Sequence, residues 1–129
     1  MRFVKLLPFE KDLAKASTLP AVFYREPDVY ALERERLFAR TWQPVARVFD
    51  LERPGDYVTN EIVGEPIVVV RSDDGTLRAF FNVCRHRAGP PAQGSGNRRT
   101  LQCGYHGWTY DLRGALIGAP EIDGADGQT

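Results

Sequence analysis

The sequence predicts an all-β domain preceded by one helix, its strands folded into an antiparallel β sandwich with a small loop-bearing subdomain. Short period-two runs begin after Trp42, and turn-forming residues separate them at close intervals. A single helical stretch, beginning near Asp28, precedes them.

Residues 1–27 have no clear period and read as an extended lead-in, with Pro8, Pro20 and Pro27 as breakers. Asp28 is the expected N-cap of a helix over about residues 28–40. Tyr30, Leu37 and Phe38 recur at i, i+7 and i+8, opposite a polar face of Glu33, Arg34, Glu35 and Arg36. Val45 to Phe49 reads as a first strand, and Pro54-Gly55 as a turn. Tyr57 to Ile62 alternates, and Pro66 to Arg71 holds three consecutive valines, the pattern of a buried strand. Ser72-Asp73-Asp74-Gly75 is a hairpin turn with a glycine placed for positive φ, and Leu77 to Val83 is the returning strand.

The stretch from Cys84 to Arg98 is rich in Gly, Pro and Arg and reads as irregular, with Gly94-Ser95-Gly96 as a flexible loop tip. Thr100 to Gln102 and Trp108 to Tyr110 are short strands, and Asp111-Leu112-Arg113-Gly114 is a second hairpin turn before Ala115 to Ile117. Residues 1–40 thus form an N-terminal extension, 41–120 the β domain, and 121–129 an acidic tail expected to be flexible.

Composition excludes several classes. The chain has 129 residues, enough for one modest core, and its 43% apolar and 26% charged content argue against disorder or a collagen-like repeat. Seventeen basic residues balance seventeen acidic ones, so net charge gives no general attraction to nucleic acid or to an anionic membrane. The longest apolar stretch, Pro66 to Val70, is far short of a membrane span, and the N-terminus matches neither a signal peptide nor a twin-arginine signal. The expectation is a cytoplasmic protein without nucleic-acid or membrane partners. In that compartment two cysteines point to a metal or redox site more than to a disulfide, although counting alone leaves a Cys84–Cys103 disulfide open.

The chain has only two cysteines and two histidines, and all four lie in two short segments. These are Cys84-Arg85-His86 and Cys103-Gly104-Tyr105-His106: C-x-H, sixteen intervening residues, then C-x-x-H. Each pair follows an expected strand, so both loops can leave the same end of one small sheet. Thiolate with imidazole suits zinc or iron–sulfur chemistry. Structural zinc usually draws paired cysteines and paired histidines, whereas here each loop offers one sulfur and one nitrogen. If each cysteine binds one iron and each histidine the other, the set suits a Rieske two-iron, two-sulfur centre. Gly89, Gly104 and Gly107 would then let backbone approach the inorganic sulfides.

Cys84-Arg85-His86-Arg87-Ala88-Gly89 and Cys103-Gly104-Tyr105-His106-Gly107-Trp108-Thr109-Tyr110-Asp111 resemble the Rieske segment of aromatic ring-hydroxylating oxygenase large subunits. Tyr30 to Trp42 resembles that family's N-terminal helix, and Pro54-Gly55-Asp56-Tyr57 its first strand turn, so the likeness covers about residues 20 to 120. It implies a Rieske-type β sandwich carrying a 2Fe-2S cluster. Cys84 and Cys103 would hold the inner iron, and His86 and His106 the outer one. Arg87, Gly89, Gly104, Tyr105, Gly107 and Trp108 would form the supporting surroundings. The extra cysteine pair of cytochrome bc-type Rieske proteins is absent.

The resemblance further implies a one-electron relay, fed by a reductase or ferredoxin and emptied into an oxygenase catalytic domain or neighbouring subunit. No catalytic residue is assigned. The family's mononuclear iron needs two further histidines that this sequence lacks, so the chain alone is not a complete oxygenase. The alternatives are a free-standing Rieske ferredoxin and a zinc-stabilised binding module.

Three secondary expectations concern the surroundings. Arg85, Arg87, Arg98, Arg99 and Arg113 lie between Cys84 and Gly114 with Asp111 as the only acid, either a rim that steers an acidic redox partner or a solvated set. Tyr105, Trp108 and Tyr110 are read as packing that excludes water. Glycines in place of hydroxyl side chains beside the second ligand pair suggest few donors to sulfur and a low reduction potential.

Overall fold

The computed structural model describes residues 10–120. The expected flexible tail, 121–129, lies outside them. The chain divides after Gln43 into two compact units.

In the first unit, proline punctuates helices where the sequence suggested an extended lead-in. Helix α1 (Val22–Arg25) is followed directly by α2 (Pro27–Arg36). Proline disfavours helical backbone in the residue before it, and Glu26 is extended at φ −83°, ψ 122°, ending α1. Pro27 then takes the first helical position, where its missing N–H is no loss and its φ is preset. Glu26 is therefore the N-cap, and Asp28 lies in the first turn, its charge favourable to the helix dipole. After Arg36 the backbone tightens into a 3₁₀ turn, Phe38–Arg40, and Thr41 closes it by donating from Oγ1 to the Leu37 carbonyl (2.9 Å).

The second unit holds two antiparallel sheets, and neither closes into a barrel. The larger contains β1 (Asp56–Ile62), β2 (Glu65–Arg71), β3 (Leu77–Phe81) and β4 (Ser95–Asn97) in the order β3-β2-β1-β4. The smaller contains β5 (Leu101–Gln102), β6 (Thr109–Tyr110) and β7 (Leu116–Gly118) in chain order. In β2, Val68 and Val70 join the core and Val69 is buried on the opposite face, which explains the unbroken valine run. Gly75 in the β2–β3 turn has φ +78°, as its place after Asp73-Asp74 suggests.

Two readings of the sequence need correction. Val45 to Phe49 is not a strand. No neighbouring ladder meets it, the Val45 carbonyl accepts from the Asn60 side-chain amide (3.1 Å), and Val48–Asp50 curls into a 3₁₀ turn with Val48 and Phe49 exposed. That turn delivers Leu51 to full burial, where its carbonyl accepts a hydrogen bond from the Arg71 guanidinium. Conversely, Gly94-Ser95-Gly96 is no loop tip, because Ser95–Asn97 pairs with Asp56–Val58 as β4. The absent side chain at Gly96 makes room for the Tyr57 ring, since a Cβ there would lie 3.3 Å from it.

The core runs between the sheets. Tyr57, Val68 and Val70 from the large sheet meet Leu101, Tyr110 and Leu112, with Cys84, Ala92 and Cys103 in the same buried cluster. Gly114 in the β6–β7 turn explains one close approach: its φ is +90°, and a Cβ there would stand 2.8 Å from the Phe80 ring. Ser72, fully buried, ties the β2–β3 turn to the same region by donating to the Leu112 carbonyl (2.5 Å).

Candidate metal centre

The two ligand-bearing loops leave different sheets, correcting the expectation of one. Cys84 follows β3 of the large sheet, and Cys103 follows β5 of the small one. The shared core brings them together, since both cysteines are buried in the same cluster. Neither thiol is paired in a disulfide.

The loops share a backbone frame. The Cys84 N–H donates to the Gly89 carbonyl, and the Ala88 N–H donates to the Cys84 carbonyl, both at 2.8 Å. The Cys103 N–H donates to the Trp108 carbonyl (2.9 Å), and the Gly107 N–H to the Cys103 carbonyl (3.0 Å). In each loop the residue four after the cysteine has positive φ: Ala88 at +58° and Gly107 at +74°. Glycine takes that conformation freely, whereas alanine there is strained and is held by the two bonds closing its loop. Such strain concentrates at functional sites.

The base of the first loop is clamped by a residue that sequence reasoning missed. Buried Asn82 donates to the Ala92 carbonyl (2.8 Å) and accepts from the Ala92 N–H (3.0 Å), fixing the loop at both ends. An asparagine at a strand end before a Gly/Pro-rich loop is the only sequence signal for such a clamp.

The two histidines lie against each other at the ends of the loops. The His86 and His106 ring centroids are 4.5 Å apart in an edge arrangement. Trp108 stacks on His86 (5.0 Å, 10° between planes), and Tyr105 lies tilted against His106 (3.7 Å). The Nδ1 atoms of both histidines are buried without a hydrogen-bond partner, as is Trp108 Nε1. An unsatisfied buried polar group costs about 1–3 kcal/mol, so two imidazole nitrogens orphaned side by side require an explanation. A metal group held by the two imidazoles would supply it.

The rest of the site fits such a group. A Cβ on Gly89 would stand 2.9 Å from Cys103 Sγ, so any larger residue there would crowd the thiol. Gly107 takes a positive φ that glycine adopts freely, whereas nothing lies within 4 Å of a Cβ built on Gly104. The Tyr110 hydroxyl is 3.2 Å from Cys84 Sγ and accepts the Arg85 N–H (3.1 Å), leaving its own hydrogen for the sulfur. Burial pushes the Cys84 thiol up. The Tyr110 hydroxyl, the His86 and Arg87 amides and the Cys103 side chain outweigh this and hold it below the ordinary range. Burial and the adjacent sulfur both push Tyr110 up. Tyr110 is thus more than packing: it is a donor to sulfur, which the expectation of few donors had not counted.

The basic rim is only partly free. Arg113 pairs with Asp73 (3.3 Å) and Asp74 (3.8 Å), and Arg98 lies over the Tyr57 ring at 5.5 Å. Arg85, Arg87 and Arg99 are exposed.

Fold and donor set define a class: a small antiparallel-β domain whose two loops present buried thiols beside orphaned imidazole nitrogens. Residues 41–126 match the family model of the Rieske [2Fe-2S] domain, and the chain belongs to that family. Membership implies a Rieske-type 2Fe-2S cluster.

The chain is 43% identical over 109 residues to the carnitine monooxygenase oxygenase subunit of Acinetobacter baumannii, covering 84% of this chain and 29% of that one. It is 41% identical over 98 residues to the benzene 1,2-dioxygenase alpha subunit of Pseudomonas putida, covering 75% and 22% respectively. Among solved structures it resembles the quaternary ammonium Rieske monooxygenase CntA, with TM-score 0.81, 41% identity, and 87% and 32% of the two chains covered. It also resembles naphthalene 1,2-dioxygenase from Rhodococcus sp. (TM-score 0.79, 36% identity, 88% and 26% covered). The chain thus spans less than a third of the length of these relatives. Among the described residues no helix is long and apolar enough to cross a membrane.

Proposed function

We propose that residues 41–120 act as a one-electron relay, with Cys84 and Cys103 holding one iron as thiolates and His86 and His106 holding the other through Nδ1. The pair of buried, unpartnered Nδ1 atoms beside two buried free thiols carries this reading. When bound, a Rieske cluster supplies a one-electron couple tuned by hydrogen bonds, burial and charge. Trp108 and Tyr105 flank the imidazoles and exclude water, and Tyr110 donates to Cys84 sulfur.

On this reading residues 1–40 are an extension with its own helices. The electron donor is a reductase or ferredoxin. The acceptor is the catalytic iron of an oxygenase domain or neighbouring subunit, a role supported by likeness to the CntA structure described in terms of inter-subunit electron transfer. The proposed compartment is the cytoplasm, where a cysteine pair serves a metal or redox site more than a disulfide.

Electron paramagnetic resonance of the reduced protein tests the reading. The expected result is the rhombic signal of a histidine-ligated two-iron cluster, with iron and acid-labile sulfide in equal amounts. Cys84→Ala, His86→Ala, Cys103→Ala and His106→Ala should each abolish it. A colourless protein holding one zinc, or a full signal surviving either histidine substitution, overturns it.

A further inference from the structure

We propose that Trp108 is a hydrogen-bond donor to the cluster itself, its indole N–H meeting an inorganic sulfide and raising the reduction potential. This rests on the relay reading above and goes beyond it, because that reading gives Trp108 only a water-excluding role.

Three side-chain atoms among the described residues are buried without a partner: His86 Nδ1, His106 Nδ1 and Trp108 Nε1. They differ in chemistry. A neutral imidazole has a nitrogen lone pair that a metal ion can take, whereas an indole nitrogen is a donor only. Iron, or a single zinc, therefore answers the two histidines and leaves the tryptophan unanswered. Buried indole N–H groups normally find an acceptor, and leaving one without costs about 1–3 kcal/mol. A two-iron, two-sulfur centre brings the missing acceptors, its inorganic sulfides.

The placement fits. The indole lies flat against the His86 ring, with centroids 5.0 Å apart and planes 10° apart, so it borders one of the imidazoles that would hold iron. Its backbone is fixed to the other ligand pair, because the Trp108 carbonyl accepts the Cys103 N–H (2.9 Å). The side chain also packs against the buried cluster that contains both cysteines. Trp108 as a whole is half-buried, yet Nε1 is sealed from solvent. A docked protein cannot reach it, so its acceptor must lie inside the domain.

The sign of the effect separates this role from packing. A donor to sulfide favours the more electron-rich reduced state and raises the potential. Water exclusion by the same ring acts in the opposite direction. With two thiolates and two neutral imidazoles the oxidised centre is neutral, and the reduced one carries a negative charge that water would stabilise. Losing the N–H alone therefore lowers the potential, and admitting water alone raises it.

The test uses the full chain loaded with its cluster. Tryptophan labelled with nitrogen-15 in the indole is incorporated, and the reduced protein is studied by pulsed electron paramagnetic resonance. A nitrogen-15 coupling should appear, vanish in Trp108→Phe and persist in Trp42→Phe, since the chain's other tryptophan is exposed in the first unit. Film voltammetry gives the second readout. Replacing Trp108 by benzothienylalanine keeps a fused ring of nearly the same size and removes only the N–H. It should shift the reduction equilibrium about three- to tenfold toward the oxidised state, ~30–60 mV at about 59 mV per decade for one electron.

A loaded cluster without nitrogen-15 coupling overturns the proposal and leaves the relay reading standing. So does a potential that is unchanged or raised in the benzothienylalanine protein. A protein that binds no iron and sulfide overturns both, and its visible spectrum shows this before either measurement.

Discussion

The two ligand loops are built on one plan and finished differently. Both close with the cysteine N–H donating five residues ahead and its carbonyl accepting from four ahead, and both turn at positive φ. The first bends at Ala88, the second at Gly107. The first places its histidine two residues after the cysteine, the second three. The first is clamped at its base by Asn82 and hydrogen-bonded at its sulfur by Tyr110. The second carries the exposed Tyr105 beside its imidazole. A common frame therefore carries two different settings: one loop has a hydroxyl beside its thiol, while the other holds an exposed aromatic beside its imidazole. The positive-φ residue makes the bend, and the side chains around it decide the use.

The sharpest break in the comparison is steric. Gly89 and Gly104 both flank the ligands, but only Gly89 faces a sulfur, at 2.9 Å from a would-be Cβ, whereas Gly104 faces open space. Gly89→Ala should destabilise the protein by about 1–3 kcal/mol, the usual range for forcing a methyl into a packed site. Gly104→Ala should stay within about 0.5 kcal/mol. In thermal unfolding of the metal-free protein this separates the two by several degrees, at about 4–8 °C per kcal/mol for a domain of this size. Equal melting points for the two variants would mean that the loops accommodate a methyl alike, and the steric distinction would be lost.

A smaller effect divides the two sulfurs electronically. The Tyr110 hydroxyl gives Cys84 a donor, favouring the more electron-rich reduced state. Removing one hydrogen bond of about 0.5–1.5 kcal/mol corresponds to ~20–60 mV for one electron. Tyr110→Phe should therefore lower the midpoint potential by that amount. Tyr105→Phe should leave it in place, because Tyr105 acts through its ring. Film voltammetry on the three proteins decides, and a Tyr110→Phe potential equal to the parent's would remove Tyr110 from the tuning role.

The ligand set was legible because cysteine and histidine are rare here and local: four residues in two short segments leave little freedom of assignment. The hairpin turns were legible for the same reason, since Gly75 and Gly114 follow Asp-rich or Asp-led turns whose chemistry is local. What depended on distant partners was hidden. Ser95–Asn97 becomes a strand because Asp56–Val58 offers it an edge, and Val45–Phe49 stays out of one because no ladder meets it. The assignment of the loops to one sheet failed likewise, because the two sheets meet only through the core that buries both cysteines. Asn82 and Tyr110 act across 10 and 26 residues of sequence, and beyond the place of Asn82 at a strand end before a Gly/Pro-rich loop neither carries a local mark of its role.

The smallest effect contrasts the loops with the sheet beneath them. Residues 84–110 contain no carboxylate, so any acid sensitivity carried by carboxylates originates elsewhere. Asp74, in the β2–β3 turn, is held well below the usual carboxylate range by the Arg78 guanidinium and by the Thr76 N–H. A depressed folded-state value means that the unfolded chain binds the proton first as pH falls. The stability from Asp74 is therefore complete above the ordinary carboxylate value and lost on descending toward the depressed one. Asp74→Asn removes it at every pH. Urea midpoints of parent and variant should differ at pH 7 and begin to converge only as pH falls through the ordinary carboxylate value of 3.8 toward the depressed one. The pair is partly exposed, so the difference will be modest and will shrink in salt. Parallel curves that never converge would place the Asp74 contribution in the turn's shape, and the acid sensitivity would have to come from another carboxylate of the sheet, Asp56 first, which is held low by Asn97 and the Arg53 amide.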